Sequence, residues 1–224
     1  MSPRDQDYPW VFRRDEIDIL EDELEDLFEA FHRRGRSPSF ESAILAEQLD
    51  TEERSDRELS SRLGFDVLEP PPTVLSAREP DEPPDDSFEA WQQELGYVRA
   101  HPLYQKAIRW TMFVKPAAKG GYEQGGMYAG ELFRVYANVN LVPLKIFTAL
   151  CEGMHEDDIG WNIAEEEYRL ALTYLDRILE SVALLSFSPD LGDWVSALRT
   201  GAKELREDLT AVIARLSQRK KGSV

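Results

Sequence analysis

Glu29 and His32 stand three residues apart, and so do Glu152 and His155. On a helix that spacing puts both groups on one face. Glu-x-x-His from each of two helices is the ligand pair with which helical bundles hold two metal ions. Two further carboxylates on other helices are then needed, and Glu131 or Glu166 is available. Several features weigh against the metal. Glu is abundant, so chance supplies such pairs; His155 follows Gly153 in an expected loop; Arg33 and Arg34 beside His32 repel a cation. A divalent metal is the lesser expectation, and no cofactor the main one.

A second set lies on the stretch 127–151. Asn140 has Phe133, Ala137, Leu144 and Phe147 as helical neighbours. A buried Asn must find hydrogen-bond partners, and such residues set register in helical seams. Glu131, Arg134, Asn138 and Lys145 form a companion polar stripe, expected to be a solvated or groove-lining face; Asn140, Arg134, Asn138 and Lys145 are the lesser candidates for binding a ligand. Glu131 has the spacing to bridge Arg134.

Three other patterns carry less. The glycines of 120–126 resemble a phosphate cradle flanked by Lys115 and Lys119, but no Gly-Lys-Ser/Thr ending follows, so a flexible break between helices is expected. Asp18, Asp22, Glu25 and Glu29 form a carboxylate row of the kind that holds Mg²⁺, yet it lies opposite an apolar seam and so faces solvent rather than a dry pocket. Cys151 is four residues from His155, with no third group to activate it.

The elements that would position these groups are helices. Ile17, Leu20, Leu24, Leu27 and Phe31 predict a helix over 13–34, stopped by Gly35. One or two shorter helices are expected over 39–64, with Phe40, Ile44, Leu45 and Leu49 as the apolar set and Gly64 closing the segment. Helix resumes over 87–119, with a fresh start at Pro102. Met127 to about Cys151 shows two apolar stripes, which imply a central helix with neighbours on two sides, kinked at Pro143. An acidic loop is expected over 152–161. Asn162 and Glu165 have capping-box spacing for a helix over 162–187. Ser188-Pro189 predicts the start of the last helix. Its seam of Leu191, Val195, Leu198, Ala202, Leu205, Leu209, Val212 and Leu216 alternates four and three, as in coiled-coil-like bundle packing. No segment alternates with period two.

The fold expected is therefore all-α: an up-down antiparallel bundle of about four core helices, with an additional acidic amino-terminal helical segment. Residues 1–64 form that segment. Residues 65–86, with six prolines and clustered acids, form a linker that neither helix nor central strand tolerates. Residues 87–224 form the bundle. Tyr8, Pro9, Trp10 and Phe12 look like an arm that docks on the bundle or on another subunit.

Charge narrows the function classes. The net charge is −17, but residues 1–100 hold −16 of it and residues 101–224 only −1. A salt-adapted surface is acidic throughout, so a local acidic face is the better reading. Surplus acid argues against direct nucleic-acid binding, which needs Lys and Arg. The polar, acidic start resembles no signal peptide, the longest apolar run is about half a membrane span, and a single cysteine excludes an internal disulfide. A cytoplasmic setting without membrane association is expected.

The leading expectation is a non-enzymatic interaction or scaffold protein whose acidic residues, Asp22, Glu25, Asp26 and Glu29 among them, meet a basic partner. The first alternative is a metal- or small-molecule-binding bundle enzyme using Glu29, His32, Glu152 and His155. The second is a homo-oligomeric assembly subunit whose interface is the last seam at Leu205 and Leu209.

Overall fold

A computed structural model of the chain describes residues 39–64, 95–154 and 157–222. It is all-α, and no strand occurs among the described residues. The expected helix at 13–34, the arm and the linker at 65–86 lie outside them. Contacts divide the chain into two units, Met1–Glu58 and Leu59–Val224.

Helix α1, Ser39–Leu63, is one continuous helix rather than two. Gly64 ends it with φ +75°, a backbone region that glycine enters without steric cost. The apolar set of α1 does not behave as a unit: Ile44 is buried while Leu49 is exposed.

The second unit is the bundle. Residues 95–100 are helical and precede α2 (Pro102–Gln124), α3 (Ala129–Gly153), α4 (Asp158–Leu185) and α5 (Gly192–Gly222). The four long helices form a closed ring, α2 on α3, α3 on α4, α4 on α5 and α5 back on α2. Every pair is antiparallel, because residue numbers rise in one helix as they fall in its neighbour. Arg134 reaches Glu180 and Lys145 reaches Glu167 across α3–α4. Arg206 meets Asp176 and Ser217 meets Glu165 across α4–α5. Tyr104 stacks near Phe147 and Tyr122 near Phe133 across α2–α3.

The α5 seam packs as its spacing implies. Val195, Leu198, Ala202, Leu205 and Leu209 are buried in the chain's own bundle. Leu205 and Leu209 are thus core residues, so the expectation that they form a self-association interface is corrected: that surface is already covered.

Three helix boundaries also differ from expectation. The break expected at Gly120 is absent. Helix α2 runs on to Gln124 and ends only at Gly125 and Gly126, with φ of +78° and +99°. Helical glycine costs about 1 kcal/mol relative to alanine, but stopping at Gly120 would expose Tyr122, which is fully buried against the Phe133 ring at 5.1 Å. Gly121 also serves the packing, since a Cβ there would stand 2.8 Å from Leu132 Cδ1.

Helix α4 starts four residues earlier than Asn162. Its cap is Asp157, whose carboxylate accepts from the Gly160 N–H at 2.6 Å. Asn162 lies inside the first turns and donates to the Asp158 carbonyl. The expected acidic loop is correspondingly shorter, because α3 extends to Gly153. At the last helix, Pro189–Leu191 form a 3₁₀ turn before α5, and Ser188 makes no side-chain capping bond.

Candidate functional site

Two places in the second unit concentrate polar or open geometry. The first is the α3–α4 interface. Glu167 falls on the same stripe of α4 as Ile163, Leu170, Tyr174 and Ile178, and all of these are buried. Lys145 occupies the facing stripe of α3. Their side chains are 1% and 0% exposed, with Nζ 3.4 Å from Oε2. Asn138, two turns earlier on α3, is also fully buried. Its amide donates to the Arg134 carbonyl at 2.7 Å, and its Oδ1 has no hydrogen-bond partner among the described residues. The Ser181 hydroxyl on α4 is likewise buried without a partner.

Removing two charges from water costs several kcal/mol per ion, which their attraction offsets only when they meet. The pair therefore acts as a register key: sliding α3 against α4 by a turn would leave both charges buried and apart. It is sealed from solvent, so it supplies no reactive group to a substrate. The expectation of a solvated stripe is corrected here. Arg134 lies near the surface and pairs with Glu180 at 3.0 Å, while Asn138 and Lys145 are interior.

The second place is a groove of about 450 Å³ at the end of the bundle where α2 and α4 begin and α3 and α5 end. Leu150 and Met154 line it from the end of α3, Ala164 and Tyr168 from α4, Val212 and Leu216 from α5, and Tyr97 from the preceding segment. It exists because the α5 seam runs out of partners. Leu205 and Leu209 are fully buried, whereas Val212 and Leu216 are only half-buried.

Among the described residues, those expected to do chemistry are not brought together. Glu29, His32 and His155 lie outside the described residues, as do Asp18, Asp22, Glu25 and Asp26. Glu152 is in the last turn of α3. Glu131 and Glu166 cannot share a metal ion. Glu131 starts α3, whereas Glu166 is level with the Lys145 region some 14 residues along, about 20 Å at the helical rise; Glu166 is also held by Arg62 at 2.9 Å. No group of three or more His, Cys, Asp or Glu poised for a metal occurs among the described residues.

Asn140, expected to be the buried amide, is half-buried, and donates to the Tyr136 carbonyl at 3.1 Å. The fully buried amide is Asn138, two positions earlier. The glycine-rich stretch is mostly helix, with Lys115 over the Tyr136 ring and Lys119 beside Glu123. Cys151 forms no disulfide and is half-buried.

Sequence reasoning missed Glu167, Ser181, Tyr97 and Tyr168. For Glu167 a signal existed: an acid in phase with a continuous apolar stripe. For the groove there was none, since it is made by the ends of separate elements. Comparison with protein-family models, curated proteins and solved structures finds no match for this chain. No helix among the described residues is long and apolar enough to cross a membrane.

Proposed function

We propose that this chain is a non-enzymatic, cytoplasmic protein that works by binding another protein. Its acidic amino-terminal region contacts a basic surface, and the bundle is the scaffold. The observation that supports this best is the segregation of charge, −16 in residues 1–100 against −1 in residues 101–224. A field of one sign, held on one part of a chain, favours association with the opposite sign. The buried pair on α3–α4 is consistent with a scaffold role, because its chemistry is spent within the fold. Phosphate backbones are not the expected partner, being of the same charge sign as the acidic region.

The test is capture by the full-length chain, compared with a variant carrying Asp22→Lys, Glu25→Lys, Asp26→Lys and Glu29→Lys. A basic protein retained at low salt, released as salt rises and absent from the variant is the expected result. Identical retention by the variant would remove the acidic region from the interface.

A further inference from the structure

The groove at the open end of the bundle has a polar ring in its lining and two further polar groups next to lining residues. Tyr168 lines it and is 4% exposed, and its hydroxyl has no hydrogen-bond partner among the described residues. His101 stands beside Tyr97 with ring centroids 6.5 Å apart, and its Nδ1 is buried, also without a partner among the described residues. Arg215, next to Leu216 of the lining, is exposed; its Nε donates to the Ala211 carbonyl at 3.4 Å, and its charge acts on both His101 and Tyr168. Glu165, the carboxylate adjoining Ala164, is already engaged by Arg169 at 2.7 Å and by the Ser217 hydroxyl at 2.9 Å.

We propose that this groove binds a single-chain amphiphile with a carboxylate head, the chain lying against Leu150, Met154, Val212 and Leu216 and the head meeting Tyr168, His101 and Arg215. Size supports the assignment, since 450 Å³ falls in the roughly 300–1,000 Å³ range of small-molecule sites. Chemistry selects the head. A cation and two uncommitted ring groups suit an anion, and the apolar walls suit a hydrocarbon tail. Burial pushes the Tyr168 phenol well above its ordinary value, so it remains a protonated donor at neutral pH. The site stands independently of the protein-binding proposal, because none of its residues belongs to the acidic region.

The experiment is calorimetric titration of the full chain with dodecanoate below its micellar concentration, and in parallel with 1-dodecanol. Dodecanoate should bind saturably at one site, and dodecanol about tenfold or more weaker, as loss of charge-assisted hydrogen bonds implies. Tyr168→Phe and Arg215→Gln should each weaken dodecanoate about tenfold. Val212→Trp should abolish binding by filling the groove, with Leu216→Trp as the second blocking variant. Circular dichroism checks that each is folded. If both blocking variants unfold, Arg215→Gln, on an exposed side chain, still decides the head-group assignment. Unsaturable uptake, or full affinity in a folded blocking variant, would overturn the site. Equal affinity for dodecanol, or an unchanged Arg215→Gln, would overturn the carboxylate assignment.

Discussion

The α3–α4 and α2–α5 contacts are both antiparallel helix pairs of one ring, yet α3–α4 carries a charge pair in its interior and α2–α5 carries its charges at the rim. Across α3–α4 one charge pair is inside, Lys145 and Glu167 sealed from solvent, while Arg134 and Glu180 pair at the surface. Across α2–α5 the inside is apolar and tight. Trp110 lies against Gly201 and donates its indole N–H to the Leu198 carbonyl at 3.2 Å. The charges sit at the rim, where Lys106 lies 2.8 Å from Asp208 and 3.3 Å from Glu204, all partly exposed. An inner charge pair is costly to break and specifies one alignment. An outer pair is cheap to break and specifies little. The ring is thus keyed on one side and sealed by shape on the other.

Breaking the key should have the largest effect. Lys145→Met leaves Glu167 buried and should cost about 3–5 kcal/mol, read by urea unfolding. The double variant Lys145→Met/Glu167→Leu should recover most of that loss, because no uncompensated charge remains. A double variant as unstable as the single one would mean that the interface needs charge for more than neutrality.

Gly201→Ala should come next. A Cβ there would stand 2.5 Å from Trp110 Cδ1, and overpacking of this kind costs about 1–3 kcal/mol. A neutral result would show that the Trp110 ring can move aside, so that α2–α5 is not held by shape. Lys106→Ala should cost about 0–1 kcal/mol, with the difference shrinking in high salt. A loss as large as that of Lys145 would erase the contrast between the two interfaces.

The smallest effect concerns pH at the open end. Burial and then the Arg215 charge hold His101 below its ordinary value of 6.5. The folded chain therefore takes up this proton less readily than the unfolded chain does. The stability this residue contributes is intact above about pH 6.5 and is lost as pH falls through the lowered folded value. Thermal unfolding between pH 7.5 and 5 should show a small acid-side loss that is reduced in His101→Asn. An identical pH profile in that variant would exclude His101 as its source.

Much of the bundle was legible in the residue pattern, for a local reason. The alternating seam of α5 names the residues that share a face, and Val195, Leu198, Ala202, Leu205 and Leu209 are all buried as that face requires. Helix ends were less legible. Asp157 and Asn162 are both competent caps, and the choice between them depends on what the intervening turn packs against. The candidate site was least legible. The polar stripe of α3 was visible, but whether it met water or a complementary acid could not be read from α3 alone.

Taken by itself, the amino-acid sequence determined that the chain folds as helices, where four long ones run, which face of each is apolar, and that acid is concentrated in residues 1–100. Periodicity and composition are properties of neighbours along the chain. Only the tertiary structure decided that α2 continues through Gly120, that Leu205 and Leu209 face inward, that Lys145 meets Glu167 and that a groove opens where the α5 seam outruns its partners. Each of these depends on what a second helix brings to the contact, and the burial of Tyr122 or the neutralisation of a charge outweighs the local preference of the residues concerned.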